Sequence, residues 1–474
     1  MEPRTRSVSY WFTVKALVPL LLLCSAIVHA DPIDDFIQGE MKRSKSPAIE
    51  VGIVRDGKLI KHSVYGKSNL EQDVDAKLGD LYEIGSITKQ FTAVATMMLV
   101  EEGKIDLDAS VTKYLPDAAK AWEPIKIRNL LFQTSGLPDY AFEPGLGLTD
   151  EFDRAKFLTD MGKLPLDFAP GVAWSYSNTN YALMGWVIDK AAGKPYTDFL
   201  RERIFTPVGM AKTTFSDPNR IIPGRSAGYL NVTGELIRTK YSSASINSDG
   251  TILSCVDDML KWDAALQDRK LLKPASYDLL WSKAQLNSGR WRPYGMGFNV
   301  PLPGSEPYYG HGGNSAGYSA GFACYPKAGI SVVVLGNVYA FAGEPMAKQI
   351  AELVDPKLKA TSPTVITDPE PKRTDKVKAA LSSLGQGKPD ESLMEPEVTA
   401  PMKTRRAAMS APGLAPLRAI EKIEFAGEQS VGKDKLLTYK ITTKTRDFVG
   451  TLLWSDGGKL AMASLRPDGP VKGS

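Results

Sequence analysis

Two hairpin-like patterns that lie far apart in the chain constrain this sequence most strongly. Residues 48–66 contain two apolar or β-branched runs around Asp56-Gly57, a pair typical of a tight turn. Residues 319–335 contain a second pair of such runs, around the turn-forming residues 326–329. The long segment between the two hairpins carries helical periodicity instead. We therefore expect one antiparallel sheet that is built from both ends of this segment and flanked by helices.

Helical patterns fill the segment between the hairpins. One helix is predicted to begin near Ser86 and to end at Gly103. Its apolar residues recur at helical spacing, at Ile87, Phe91, Val94 and Met98. A second helix is predicted over residues 181–192, and a third over residues 344–354 closes the domain. These patterns predict a mixed α/β fold, in which an antiparallel sheet is flanked by helices and joined to a mostly helical subdomain.

The rest of the chain divides into a linker and a small C-terminal domain. Residues 356–374 hold four prolines among Ser, Thr and charged residues, which is typical of a linker. A short helix is predicted over residues 376–384, followed by a poorly patterned stretch. Four alternating runs then predict a four-stranded antiparallel meander, at residues 420–425, 436–442, 448–454 and 460–465. We expect a main domain over residues 31–355, the linker, and a small α+β accessory domain over residues 375–474.

The first 30 residues have the pattern of a signal peptide. Basic residues begin the segment, an uncharged apolar run covers residues 16–28, and Val28-His29-Ala30 precedes Asp31. The apolar run is shorter than the roughly 20 residues that span a bilayer. We therefore expect cleavage after Ala30 and a periplasmic or secreted protein. An uncleaved N-terminal membrane anchor is the alternative.

Charge and cysteine content exclude some classes of partner. The formal net charge is +4, from 58 basic and 54 acidic residues, which gives no argument for nucleic acid or for an anionic membrane surface. Cys255 and Cys324 remain after signal cleavage, and their separation fits no metal-ligand spacing. An oxidising compartment would permit them to pair, and we interpret them as two buried free thiols.

The sharpest chemical motif is Gly85-Ser86-Ile87-Thr88-Lys89, at the start of the first predicted helix. Residues at positions i and i+3 share a helix face, so Lys89 can lie beside the Ser86 hydroxyl. A serine hydroxyl is a weak nucleophile that needs an adjacent base. The non-catalytic interpretation of the same motif is an N-cap serine followed by a solvated lysine. The motif becomes specific only in combination with others.

Two further motifs carry groups suited to acyl transfer. Tyr176-Ser177-Asn178 precedes the second predicted helix and offers a phenol and an amide. Gly310-His311-Gly312-Gly313-Asn314 precedes the C-terminal hairpin, where glycines permit close approach of a ligand or another backbone. His311 could bind a substrate carboxylate or assist proton transfer. Each motif alone is also compatible with an ordinary loop.

In this order, the three motifs resemble the Ser-x-x-Lys, Ser-Asp-Asn and Lys-Thr-Gly set of serine β-lactamases and penicillin-binding proteins. The closest resemblance is to the class C β-lactamase-related family, which uses Tyr-x-Asn as its second motif and includes D-alanyl-D-alanine carboxypeptidases, D-aminopeptidases and esterases. It covers roughly residues 33–355. It implies a transpeptidase-like fold and a serine hydrolase acting on a small molecule or a cell-wall peptide. It implies no metal or organic cofactor, and leaves the oligomeric state open.

The resemblance also implies a role for each matching residue. Ser86 is the expected nucleophile, with Lys89 and Tyr176 as proton-transfer partners. The expected substrate-binding residues are Asn178, His311, Gly312 and Gly313, and the expected oxyanion hole consists of the backbone N–H groups of Ser86 and Asn314. His311 replaces the lysine of true class C β-lactamases. Efficient β-lactamase activity is therefore less expected than peptidase or esterase activity.

Three alternatives stand beside this interpretation. The enzyme could be an esterase rather than a peptidase, and the fold could belong to a non-catalytic peptidoglycan-binding or regulatory protein. Gly317-Tyr318-Ser319-Ala320-Gly321 matches the G-x-S-x-G motif of α/β-hydrolases, but no histidine follows His311, so the required chain order is absent. Ser248-Asp249-Gly250 resembles Ser-Asp-Asn but lacks the asparagine.

Overall fold

The computed structural model describes residues 31–469 and residue 472, without the side chains of Arg405, Arg406, Met409 and Ser410. The predicted signal peptide, residues 1–30, lies outside the described residues. The strands are β1 (Ala48–Arg55), β2 (Lys58–Asn69), β3 (Val74–Asp75), β4 (Tyr82–Glu83), β5 (Thr214–Phe215), β6 (Tyr229–Val232), β7 (Glu235–Arg238), β8 (Ile252–Ser254), β9 (Ala284–Gln285), β10 (Trp291–Arg292), β11 (Tyr309–Ser315), β12 (Tyr318–Tyr325), β13 (Ile330–Gly336), β14 (Val338–Tyr339), β15 (Ile420–Val431), β16 (Asp434–Thr443), β17 (Phe448–Trp454) and β18 (Leu460–Pro467).

The α-helices are α1 (Pro32–Ser44), α2 (Thr88–Glu101), α3 (Val111–Tyr114), α4 (Ile127–Leu131), α5 (Arg154–Gly162), α6 (Asn178–Ala192), α7 (Tyr196–Leu200), α8 (Thr206–Val208), α9 (Val256–Gln267), α10 (Pro274–Leu280), α11 (Gly343–Val354), α12 (Pro371–Gly385), α13 (Pro396–Met402) and α14 (Arg405–Leu414). Short 3-10 turns occur at Gly85–Ile87, Lys120–Trp122, Tyr140–Phe142, Pro356–Leu358 and Ala415–Ala419, and a π-helical turn at Arg201–Phe205. None of the helices within the described ranges is long and apolar enough to cross a membrane.

The central sheet joins the two ends of the main domain, as the sequence predicts. Its strand order is β11-β12-β13-β1-β2-β3, and neighbouring strands are antiparallel. The hairpin from the start of the chain meets the later hairpin where β1 pairs with β13, with Val51 opposite Val334. The mixed α/β, transpeptidase-like fold with an antiparallel sheet is therefore confirmed.

Both faces of this sheet are covered by helices. Side chains alternate between the faces along a strand, and β13 is buried throughout. Val332 and Val334 share a core with Ile37 of α1 and Ile350 of α11. Val333 and Leu335 belong to the larger core, which the helical region shares. An unbroken apolar strand fits this two-sided burial.

Helix α2 is buried along most of its length inside the helical region. Residues 88–99 are all buried, which fits a helix surrounded by protein on every side. Phe91 stacks on Trp262 of α9 with ring centroids 4.0 Å apart. The helix predicted over residues 181–192 begins three residues earlier, and its C-cap Gly193 has φ 69, the left-handed geometry that glycine favours. The two helices fix the positions of the first two motifs.

The C-terminal part forms a sheet in the order β15-β16-β17-β18, so the four-stranded meander is confirmed. Two details differ from the sequence prediction. Helix α12 begins at Pro371, within the predicted linker, because proline suits the first helical turn. Helices α13 and α14 occupy the stretch that shows no clear pattern. Pro401 and Pro412 lie inside them and obscure their periodicity.

An arginine of the β9–β10 hairpin anchors the C-terminal part to the main domain. Arg290 forms a bidentate contact with the Asp434 carboxylate, with Nε 2.8 Å and Nη2 3.3 Å from its two oxygens. Its Nη1 lies 3.0 Å from Glu397 Oε1. Neighbouring Arg292 is buried and donates to the carbonyl of Ala461 at 2.7 Å. Burial lowers the pKa of Arg292 to about 10.

Replacing Arg290 by alanine is expected to lower the free energy of unfolding by about 3 kcal/mol, because it leaves the largely buried carboxylates of Glu397 and Asp434 without their cation. Urea denaturation of the full chain measures the change. Arg201→Ala removes a surface ion pair with Asp198 and should change stability by no more than about 0.5 kcal/mol. Equal effects of the two substitutions on the free energy of unfolding would show that the Arg290 contacts do not stabilise the packing of the C-terminal part against the main domain.

Candidate active site

The first motif places Ser86 and Lys89 in direct contact. Residues 81–90 are buried except Ser86, which is partly exposed in the 3-10 turn that precedes α2. The turn and the first residues of the helix bring the side chains at positions i and i+3 together. Lys89 Nζ lies 3.0 Å from Ser86 Oγ. The hydroxyl therefore has a buried amine as its neighbour and access to solvent.

Two further acceptors hold the Lys89 amine in place. Nζ donates to Asn178 Oδ1 at 2.9 Å and to the main-chain oxygen of Asp249 at 2.6 Å. With Ser86 Oγ, these partners match the three donors of an ammonium group. Lys89 is fully buried, so its nitrogen has little freedom to leave this position. The first and second motifs thus meet at one atom.

Gln133 and Asp139 hold the second motif in position, although no sequence motif points to either residue. The side-chain oxygen of Gln133 accepts from the Ser177 N–H at 2.9 Å and from Asn180 Nδ2 at 2.5 Å. The Asp139 carboxylate accepts from Asn178 Nδ2 at 3.2 Å. That contact orients the amide so that its oxygen faces Lys89. Both residues belong to the segment between α4 and the 3-10 turn at Tyr140–Phe142.

Tyr176 lines the same cavity as Ser86. Its ring centroid is 5.0 Å from Lys89 Nζ and 6.0 Å from the ring of His311. Tyr181 and Tyr294 also lie close by, but both are buried, and burial raises the pKa of each phenol well above its ordinary value. These two phenols are therefore neutral, and Tyr176 is the partly exposed tyrosine beside the lysine.

The third motif lies on β11, the edge strand of the central sheet. At Gly313, a Cβ atom would lie 1.9 Å from the main-chain oxygen of Ile84. Gly85 has φ +52, and a Cβ there would lie 2.6 Å from the nitrogen of Asn314. The turn can approach the strand this closely because both positions are glycine. This approach brings together the segments that carry the N–H groups of Ser86 and Asn314, the predicted oxyanion hole.

Replacing Gly313 by alanine is expected to lower kcat at least about a hundredfold, because the new methyl group pushes the Asn314 N–H away from Ser86 and removes one oxyanion donor. Steady-state hydrolysis of an activated ester measures the effect. Gly39→Ala, at a site with open space around the new methyl group, serves as the matched control. Wild-type kcat in the folded Gly313→Ala protein would remove Asn314 from the oxyanion hole.

His311 is a neutral imidazole in this site. Its Nδ1–H donates to the Gly312 carbonyl oxygen at 2.5 Å, which leaves Nε2 to accept from the Tyr294 hydroxyl at 3.2 Å. Burial lowers the pKa of His311 to about 4. A neutral ring has no charge to offer a carboxylate. The geometry therefore does not favour the carboxylate-binding role that the sequence suggested for His311.

The two competing sequence motifs have other positions in the fold. Ser319 lies in strand β12, fully buried, and its hydroxyl donates to the Val338 carbonyl at 2.8 Å. Ser319 is therefore not exposed, and it does not lie at the sharp strand-to-helix turn that carries an α/β-hydrolase nucleophile. Asp249 supplies a main-chain acceptor to Lys89, and its buried side chain accepts from Tyr140 at 2.7 Å. Burial raises the pKa of this carboxyl, against the opposing effect of Lys89.

A cavity of about 860 Å³ opens in front of Ser86 and accommodates a small peptide or amide. Its lining includes four of the predicted catalytic and substrate-binding residues, namely Ser86, Tyr176, Asn178 and His311. Within the described part of the chain, no three His, Cys, Asp or Glu side chains are grouped so that they could hold a metal ion. Cys255 and Cys324 are both free and buried.

Comparisons with known proteins agree with this geometry. A model of the beta-lactamase family matches residues 33–355. Penicillin-binding protein 4* of Bacillus subtilis (strain 168) is 31% identical over 303 residues, which are 59% of this chain and 66% of that protein. A D-aminopeptidase of Gluconobacter oxydans (strain 621H) is 25% identical over 374 residues, 77% of this chain and 70% of that protein. The chain thus spans about two thirds of the length of these relatives.

A solved structure shares the architecture over almost the whole chain. The octameric penicillin-binding protein homologue from Pyrococcus abyssi aligns with a TM-score of 0.60 at 22% identity. The alignment covers 92% of this chain and 96% of the other. At this identity the similarity is one of fold. Because it extends beyond residues 33–355, the shared fold includes the C-terminal part.

Proposed function

Because this chain belongs to the beta-lactamase family, we propose that it is a serine hydrolase that forms an acyl-enzyme on Ser86. The observation that carries this proposal is the 3.0 Å contact between the partly exposed Ser86 hydroxyl and the buried Lys89 amine. The proposed substrates are amides or esters, either D-alanyl-peptide-like compounds or small esters. The similarity to a penicillin-binding protein and a D-aminopeptidase supports the amide class.

The proposed reaction has two acyl-transfer steps. Ser86 Oγ attacks the substrate carbonyl, and its proton passes to the Lys89 and Tyr176 pair. The N–H groups of Ser86 and Asn314 stabilise the negative charge on the carbonyl oxygen. The leaving amine or alcohol takes the proton, and an ester to Ser86 remains. Water then attacks this ester by the reverse proton route and releases the acid, which restores the Ser86 hydroxyl.

The intact mass of the protein after exposure to benzylpenicillin and, separately, to p-nitrophenyl acetate tests the proposal. A stoichiometric adduct that maps to Ser86 supports it. Rapid deacylation would leave no adduct but would consume the reagent, so the remaining reagent is measured as well. Unmodified protein with both reagents intact would contradict the proposal and favour a non-catalytic binding protein.

Replacing Tyr176 by phenylalanine is expected to lower kcat by about two to three orders of magnitude. The ring would still pack beside Lys89 and His311, but the hydroxyl that relays the proton would be gone. Steady-state kinetics with an amide substrate, whose leaving group needs the proton, measures this loss. Tyr339→Phe removes the hydroxyl of a half-exposed tyrosine on the cavity wall and is the control. A wild-type rate for Tyr176→Phe would make Tyr176 a packing residue.

We also propose that the mature protein begins at Asp31 and acts in the periplasm or outside the cell. Residues 1–30 supply the basic start and the apolar run of a signal peptide. Asp31 caps helix α1, since its Oδ1 accepts from the Ile33 N–H at 2.9 Å, so cleavage after Ala30 would preserve that cap. Amino-terminal sequencing checks the cleavage site, and a membrane-bound protein that retains residues 1–30 would indicate an anchor.

A further inference from the structure

A buried carboxylate lies at one end of the active-site cavity. Glu344, near the start of helix α11, lines the cavity beside Gly312, where a Cβ atom on the glycine would lie 3.4 Å from Glu344 Cβ. Its Oε2 accepts from Asn299 Nδ2 at 2.5 Å, and its Oε1 accepts from the Tyr308 hydroxyl. Lys348, one helical turn further on, lies 2.8 Å from Oε1. No sequence motif points to this residue.

These contacts keep the Glu344 side chain ionised. Burial alone would raise its pKa, but the Lys348 ammonium and the Tyr308 hydroxyl outweigh burial, and the net shift is downward. A carboxylate has roughly four lone-pair positions, and three are occupied here. One position therefore remains open on a side chain that lines the cavity. The counter-ion Lys348 is partly exposed and is not one of the cavity-lining residues.

Among the described residues, none that lines this end of the cavity offers a cation to a substrate carboxylate. The neighbouring ring of His311 is neutral, and both of its nitrogens are already hydrogen-bonded within the protein. Of the cavity-lining side chains in the described ranges, the charged lysine is Lys240. It follows Thr239, which donates to the Ala316 carbonyl at the turn end of β11. Glu344 and Lys240 thus lie toward opposite ends of the strand that carries the oxyanion donor.

We propose that Glu344 binds a protonated amine of the substrate, and that the hydrolase therefore prefers amides with a free amino group near the reacting carbonyl to those with a carboxylate or a blocked amine. This inference rests on the proposed function. An ammonium group donates to the open position of the carboxylate, and a charged hydrogen bond of this kind is lost when the amine is acetylated. A substrate carboxylate in the same place would face a like charge.

The ratio of kcat/KM for D-alanine p-nitroanilide to kcat/KM for its N-acetyl derivative tests the inference. The wild-type protein is expected to prefer the free amine at least about tenfold, and Glu344→Gln should lower this ratio about tenfold to a hundredfold. Glu352→Gln, on the same helix but away from the cavity, is the matched control and should keep the wild-type ratio.

A second substitution makes the test independent of the folding of Glu344→Gln. Lys348→Met removes the ammonium that keeps the Glu344 carboxylate ionised, so its pKa should rise. As the pH is lowered, the preference for the free amine should therefore be lost at a higher pH than in the wild-type protein. A ratio near one in the wild-type protein, or a ratio that neither substitution changes, would overturn the inference.

Acylation by p-nitrophenyl acetate, which carries neither an amine nor a carboxylate, separates this inference from the proposed function. If Ser86 is acylated by the ester but the free-amine anilide is not preferred, the substrate inference fails and the hydrolase proposal remains. If Ser86 is not acylated by the ester and neither anilide is hydrolysed, both fail. A free-amine preference that persists in Glu344→Gln would assign amine recognition to another residue.

Discussion

The Ser86→Ala protein is expected to lose essentially all hydrolytic activity, with kcat reduced by about five to six orders of magnitude. The Ser86 hydroxyl reaches the cavity and contacts the Lys89 amine. Alanine removes the atom that bonds to the substrate and leaves the surrounding turn intact. Hydrolysis of an activated ester, together with the intact mass of the protein, measures the loss of turnover and of the covalent intermediate.

Ser319→Ala is the informative control for this experiment, because Ser319 is the serine of the competing G-x-S-x-G motif. Its hydroxyl is buried and lies within hydrogen-bonding distance of the Val338 carbonyl oxygen and Asn314 Oδ1. Its loss should lower kcat less than about tenfold through a small displacement of β11. If Ser319→Ala were inactive and Ser86→Ala retained wild-type activity, the assignment of the nucleophile would be wrong. Unfolding curves for both proteins exclude loss of structure as the cause.

The motifs that the sequence reveals are those whose chemistry depends on neighbours in the chain. Ser86 and Lys89 are three residues apart, so helical geometry alone predicts their contact. The hairpins are predictable for the same reason, since Asp56-Gly57 fixes a turn between two adjacent runs. That the second and third motifs meet the first does not follow from spacing. It follows from the resemblance to a known family, and the structure shows the contacts that bring them together.

The residues that the sequence did not reveal act across long separations. Asp249 contributes a main-chain oxygen, which any residue type could supply, so its identity carries no signal. Gln133 bonds the loop of the second motif from a backbone with φ 62, a left-handed geometry that is uncommon outside glycine. The charge of His311 depends on burial, which chain position does not specify. Glu344 reaches the cavity only because β11 and α11 pack together.

Lys89→Met is expected to lower kcat/KM by about three to five orders of magnitude, because a nucleophile and its base act as one unit. Methionine keeps much of the buried stem, so the packing of α2 changes little. The substitution removes the amine that contacts Ser86 Oγ and leaves Asn178 Oδ1 and the Asp249 carbonyl without their donor. The buried Asp249 carbonyl, left without this donor, should also lower the free energy of unfolding by about 1 to 3 kcal/mol.

The kinetic and structural effects of Lys89→Met can be separated, since only one of them depends on pH. A protein that has merely lost the orientation of Asn178 should bind substrate weakly but retain its kcat. A protein that has lost its base should regain rate as the pH rises and hydroxide takes over the removal of the Ser86 proton. Lys212→Met removes the ammonium of an exposed lysine that donates to the Gly79 carbonyl and does not line the cavity, and it should show neither effect. A loss below tenfold in Lys89→Met would assign the base to Tyr176. Among the described residues, Tyr176 is a titratable side chain that lines the same cavity as Ser86 and lies against the lysine.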